Sequence, residues 1–463
     1  MLRYLAMATV LWSALGSIAL GEDAVRNLPS DDAIRKILTD RIDVEHRGVG
    51  MVVGIVDAHG RRIVAHGALK QGEPRVPDGD TVFEIGSITK AFTGLLLADM
   101  VQRGEVRLDD PVTKFLPPDV TLPERNGRQI ALIDLATHTS ALPRLPNNMK
   151  PKDPGNPYAD YTVEQMYASL RDVTLTRDIG ASYEYSNLGF GLLGHVLARR
   201  AGMDYEALLR QRIIDPLRMT NTAITLSPAM MAVRAAGYDA ELRPAPYWQL
   251  PTLAGAGALQ STTNDLLTLL EAELGFAETP LKAAMAAQLV PRRPMAGRAT
   301  VALGWHIAPA KTGDIVWHSG GTGGFRTFIG FDPKARTGVV VLTNAATVAG
   351  GDDIGMHLLT GAPLLPAPKK YDVIAVDTQT LERYVGRYQL HPQIVVTVTR
   401  RDDHLFAQLT DQPELEIFPF ESDKFFWKPV DAQVTFQAEP GKSATGLTLH
   451  QHGRDMPAPR ISP

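Results

Sequence analysis

The sequence predicts a mixed α/β (α+β) protein: an antiparallel sheet flanked by helices, an all-helical subdomain, and a small C-terminal all-β barrel. Three observations predict it. Apolar, β-branched strand patterns occur early, at Gly48–Val56 and Arg62–His66, and return late, at Ile315–His318, Phe325–Phe331 and Val339–Leu342. The long stretch between them carries helical patterns instead. Past a proline-rich segment, short alternating segments recur with turn residues between them.

Taken in order, Met1-Leu2-Arg3, an uncharged apolar stretch from Tyr4 to Leu20, and Ala19-Leu20-Gly21 have the three-part layout of a secretory signal peptide over residues 1–21. Cleavage after Gly21 predicts a periplasmic or secreted protein with no stable membrane span. The competing reading is an uncleaved anchor, because about 17 residues barely span a bilayer. Residues 22–362 form the main expected domain. It opens with a hairpin, Gly48–Val56 and Arg62–His66, turned by Asp57-Ala58-His59-Gly60. Helices follow at Lys90–Gln102 and Leu192–Arg200, closed by Gly104 and Gly202, where a left-handed cap suits glycine. The late strands complete one antiparallel sheet with the early hairpin. A semi-rigid linker is expected at 363–375 and a barrel at 376–463, from segments such as Ile394–Thr399, Leu405–Leu409, Val434–Phe436 and Thr445–Gln451.

Composition removes several classes of function. A net charge of −4, from 47 basic and 51 acidic residues with no long run of either sign, lacks the footprint of a nucleic-acid partner. The absence of cysteine excludes disulfides and thiolate metal sites. No cofactor or metal is expected, and the implied partner is a small-molecule or peptide substrate. Oligomeric state is left open.

Three short motifs carry chemistry. Ser87-Ile88-Thr89-Lys90 opens a helix, so the serine hydroxyl and lysine amine share one helix face. A neutral amine there can take the hydroxyl proton. Tyr185-Ser186-Asn187 precedes another helix and offers a phenol, whose pKa a neighbouring ammonium would lower, and an amide. His318-Ser319-Gly320-Gly321 ends a strand, where glycines admit substrate backbone and His318 is placed to meet a carboxylate. Each motif alone is weak evidence. Their joint occurrence, in this order and each at an element boundary, is not.

With these three motifs the chain resembles the family of class C β-lactamases, penicillin-binding DD-peptidases, D-amino-acid amidases and related esterases, over roughly Ile34–Leu359. Segments His138–Pro143, Asp215–Met219 and Gly255–Leu259 also resemble the family, and Tyr384–Tyr388 resembles the start of an appended lipocalin-like barrel. The resemblance implies the β-lactamase/transpeptidase fold and an acyl-enzyme at Ser87, with Lys90 as base and Tyr185 as proton relay. It further implies that Asn187 holds the substrate's side-chain amide, and that the backbone N–H groups of Ser87 and Gly321 form an oxyanion hole. His318, Ser319, Gly320 and Gly321 line the substrate-binding strand. The family usually has lysine where this chain has His318, so carboxylate anchoring is expected to be weaker here, and best below a histidine pKa near about 6.5.

The expected activity is hydrolysis of β-lactam or D-Ala-type peptide amide bonds. The alternatives are a carboxylesterase of the same fold and a non-turnover protein that binds or senses cell-wall fragments. Other motifs read as incidental. Lys311-Thr312-Gly313 precedes its strand and reads as a hairpin turn, and Gly189–Gly194 reads as close helix packing rather than a dinucleotide fingerprint. His450 and His452 lack a third ligand, and no Gly-x-Ser-x-Gly elbow occurs.

Overall fold

The computed structural model describes residues 28–462, apart from positions 312, 348–349, 367–370, 392–393, 411–413, 429–431 and 452–453. The expected signal peptide, His452 and part of the expected linker lie outside the described residues. The chain divides into two compact units, at Leu365 and Pro366.

The first unit is built on strands β1 (Gly50–Asp57), β2 (Gly60–Gly67), β5 (Arg293–Pro294), β6 (Thr300–Val301), β7 (His306–Pro309), β8 (Asp314–Gly321), β9 (Arg326–Asp332) and β10 (Thr337–Thr343). They form one antiparallel sheet in the order β2-β1-β10-β9-β8-β7-β6-β5. A separate pair, β3 (Phe83–Glu84) and β4 (Gln260–Ser261), lies under the Ser87 turn. The run Met-Val-Val-Gly-Ile-Val of β1 is apolar at every position because both sheet faces are covered. Val52 and Val56 pack into the core shared with the helical subdomain. Met51, Val53 and Ile55 pack against the helices Asp31–Thr39 and Asp352–Thr360. Gly54 lets the helix Thr263–Glu273 approach, since a Cβ there would lie 2.4 Å from a Thr263 methyl.

The helix Thr89–Gln102 is buried from Thr89 to Met100 and runs through the middle of the main core. Its partner Asn187–Ala201 starts about a turn and a half before Leu192, where its apolar pattern begins. Ser186 caps it by accepting the N–H of Gly189 at 2.8 Å, and Gly202 ends it at φ 66°. Gly191 and Gly194 press against Leu253 and Gly255, which accounts for the glycine-rich pattern there. Strand β8 continues past His318, so Ser319, Gly320 and Gly321 are paired strand residues, opposite Phe328, Thr327 and Arg326. Lys311 and Gly313 lie in the turn joining β7 to β8, at the far end of that strand. The short strands β5, β6 and β7 carry no pattern that the sequence makes visible.

In the second unit, eight antiparallel strands close into a barrel, Gly386–His391 pairing with Arg454–Ser462 across the seam. Alternate residues such as Val396, Val398, Leu405, Ala407, Val434 and Phe436 fill it. His450 is occupied by Asp455 and Thr435, at 2.7 and 2.8 Å.

Candidate active site

Strand β3 delivers the chain to the Ser87 turn. Ile85 donates its N–H to Leu259 O, Gly86 takes φ 50°, and a single 3-10 turn, Gly86–Ile88, leads into the buried helix. Gly86 is required twice over: by its left-handed backbone, and because a Cβ would lie 2.7 Å from Gly321 N. Gly320 fits as tightly, since a Cβ there would stand 2.0 Å from Ile85 O. These glycines therefore first admit the protein's own backbone, bringing the end of β8 against the Ser87 turn. That is closer packing than the substrate-binding role read from sequence alone.

Lys90 has no exposed surface. Its Nζ lies 3.0 Å from Ser87 Oγ, 2.8 Å from Asn187 Oδ1 and 2.6 Å from the carbonyl oxygen of Ala256. Burial, assisted by the charge of Arg144, holds its pKa well below that of an ordinary lysine. Tyr185 is bonded to Ser87 from the other side, and its ring centroid is 4.7 Å from Lys90 Nζ. The phenol was expected to be lowered by a lysine ammonium. Instead burial pushes it up to about 12, with the Ser87 bond and Arg144 only opposing that rise.

His138, from the segment His138–Pro143, stacks on Tyr185 at 4.4 Å and accepts the N–H of Ser186 on Nδ1 at 3.0 Å, fixing the Tyr185 loop. Asn187 donates its N–H to Arg144 O at 2.9 Å, and its side chain is shared between Lys90 and Tyr158. Ala256, Arg144, Tyr158 and His138 were not singled out as site residues from sequence. Only the repeated small residues Gly255–Ala258 and the segment His138–Pro143 carried a signal.

His318 stands with its ring 6.3 Å from that of Tyr185 and is 2 % exposed. It stacks on His306 at 4.9 Å. Burial, then the charges of His306 and Lys90, hold its pKa well below that of free histidine. The expectation of an imidazolium titrating near neutral pH is thus corrected: the desolvated ring stays neutral. Its Nδ1 is 2.7 Å from the carbonyl of Ser319, which only accepts, so Nδ1 carries the proton and Nε2 is a lone-pair acceptor. The Ser319 hydroxyl is bonded to Asp352, whose carboxyl burial pushes up to about 7. Ser87, Lys90, Tyr185 and Asn187 therefore form one hydrogen-bonded cluster. Gly320 and Gly321 abut it through backbone, and His318 closes one side as a neutral group. Among the described residues no group of histidines and carboxylates is placed to hold a metal.

A β-lactamase family model matches residues 31–359, and a domain of unknown function (DUF3471) matches residues 370–459. The D-alanyl-D-alanine-carboxypeptidase/endopeptidase AmpH of Escherichia coli (strain K12) is 31% identical over 327 residues, covering 65% of this chain and 81% of that protein. Penicillin-binding protein 4* of Bacillus subtilis (strain 168) is 26% identical over 460 residues, covering 91% and 97%. A class C β-lactamase structure from Rhodobacter sphaeroides superposes with a TM-score of 0.59 at 27% identity, covering 67% of this chain and 93% of that one. With the Ser87–Lys90–Tyr185 cluster built on such a sheet, the chain belongs to the β-lactamase family of serine hydrolases.

Proposed function

We propose that the protein is an exported hydrolase that opens β-lactam or D-Ala-type peptide amide bonds through an acyl-enzyme at Ser87. The observation that carries this reading is the set of three partners around Lys90 Nζ. A neutral amine has two N–H donors and one lone pair. Ala256 O and Asn187 Oδ1 are acceptors and take the two N–H groups, which turns the lone pair to the Ser87 hydroxyl. Lys90 then removes the Oγ proton as Oγ attacks the carbonyl carbon. Negative charge on the carbonyl oxygen is received by the N–H groups of Ser87 and Gly321, each such donor contributing about 3 kcal/mol in related chemistry. Tyr185, protonated at neutral pH, gives a proton to the leaving nitrogen and is reprotonated from Lys90. Water reverses the sequence in deacylation.

A second reading, a carboxylesterase on the same site, is favoured by the neutral His318, which provides no positive charge for a carboxylate on the strand side. Export rests on the layout of residues 1–21. The test is labelling by a fluorescent penicillin together with turnover of nitrocefin, a D-Ala-D-Ala peptide and a short p-nitrophenyl ester. Ser87→Ala is expected to abolish labelling and to cut every rate by at least about 10³-fold. An undiminished rate in that variant ends the reading. Hydrolysis of the ester alone decides for the esterase.

A further inference from the structure

One buried carboxyl close to the nucleophile is used by none of the three motifs. Glu84 lies on β3, three residues before Ser87, and is 3 % exposed. Its Oε1 accepts the backbone N–H of Trp248 at 2.8 Å and the Arg234 guanidinium at 3.2 Å. Burial pushes its pKa up to about 7, opposed by the Thr322 hydroxyl, Arg234 and the Trp248 N–H, each of which favours the carboxylate. Glu84 therefore gathers two distant segments, the loop at Trp248 and the turn at Thr322, onto the strand that leads to Ser87.

That turn directly follows Gly321. It is closed within itself: Thr322 donates its N–H to Phe325 O at 3.1 Å, and Arg326 bonds the carbonyls of Thr322 and Phe325. Those bonds fix its shape, not its place against the Ser87 turn. Trp248 supplies the place. A Cβ at Gly323 would lie 2.7 Å from Trp248 Nε1, and that Nε1 donates to Gly155 O at 2.9 Å. The indole is thus wedged against the turn, and Glu84 holds the backbone from which it projects. A second route runs from the same carboxyl to the same turn: Arg234 stacks on Tyr247, whose ring stacks on that of Phe325 at 6.2 Å. We propose that Glu84 is a positioning residue, which sets the Gly321 N–H against the Ser87 turn through the Trp248 loop and the Thr322 turn. The inference rests on the acyl-enzyme reading, in which that N–H receives charge from the substrate carbonyl.

The test separates positioning from stability in the full-length protein. Glu84→Met alone leaves Arg234 buried and unpaired, which destabilises the fold whatever Glu84 does for catalysis. Glu84→Met with Arg234→Met removes both partners, so the melting temperature is expected to recover while the position of the turn does not. In this double variant kcat on a short p-nitrophenyl ester should fall by at least about tenfold with KM held within about threefold. Hydrogen exchange of residues 319–325, followed by mass spectrometry, should speed up by at least about tenfold. Glu84→Gln still accepts the Trp248 N–H and is expected to recover most of kcat. Thr322→Val, which loses only the hydroxyl, should fall between the two, and it decides the matter if the double variant does not fold. Wild-type kcat in a folded double variant, or unchanged exchange in that segment, overturns the role of Glu84 and leaves the Ser87 hydrolase standing. Failure of the acyl-enzyme reading shows separately, as undiminished turnover in Ser87→Ala.

Discussion

Lys90 must be neutral to act, and this sets the direction of the pH dependence. Its pKa is lowered in the folded protein, so the active form is present above that lowered value and is lost as pH falls through it. The acid limb of kcat/KM is therefore expected well below the ordinary lysine value of about 10.4. Lys90→Gln should lower acylation by about 10² to 10⁴-fold without unfolding the chain; fluorescent-penicillin labelling rates beside a circular-dichroism melt check it. His138, His306 and His318 have a different consequence. All three have folded pKa values below that of free histidine, His306 at about 4. The unfolded chain therefore binds more protons below about pH 6.5. Stability is full above that pH and falls as pH drops toward the folded values. Melting temperature should thus decline between about pH 6.5 and 4, and a His306→Gln variant, if folded, should show a shallower decline. An unchanged slope in that variant would contradict the burial argument.

At the scale of elements, β8 has two ends with different duties. A strand rises about 3.3 Å per residue, so the start of β8 at Asp314, beside the Lys311 turn, is about 20 Å from Gly320. Lys311→Ala is expected to leave KM and kcat within about twofold. Gly320→Ala, in contrast, drives a methyl into Ile85 O and must push the strand off the Ser87 turn, so kcat falls steeply even where the fold survives. Kinetics of the two variants side by side test the assignment of the third motif. Much of this was legible in sequence. Ser87, Lys90, Tyr185 and Asn187 declare themselves because their spacing relative to helix starts is chemically meaningful. Strands β1, β8, β9 and β10 declare themselves by apolar runs. What stayed hidden depends on contacts between distant segments: the Ala256 carbonyl on Lys90, the guanidinium of Arg144 over Tyr185, and the desolvation that makes His318 neutral and Tyr185 reluctant to ionise. Strands β5 and β6 are two residues each, too short to show a period.

At the scale of the molecule, the two compact units meet in sequence at Leu365 and Pro366. Each has its own apolar core, the first around the Ser87 helix and the second inside the barrel. Truncation after Pro366 is expected to leave a folded hydrolase with its kcat/KM on a small ester kept within a few-fold; a melt and an ester assay on residues 22–366 measure both halves of that statement. Loss of activity in a folded fragment would assign part of the substrate site to the barrel.

Strand β1 sits between β2, its immediate neighbour in the chain, and β10, which is separated from it by more than half of the sequence. During synthesis the first hairpin therefore leaves the ribosome with an open, wholly apolar edge. Its second partner follows only after a delay on the order of tens of seconds at ordinary elongation rates. Non-local closure of this kind is slow, because a long loop must be ordered before any pairing rewards it. The nascent chain thus stays unfolded and threadable until nearly all of its first unit has been made, and exposed strands in that interval are what a chaperone would hold.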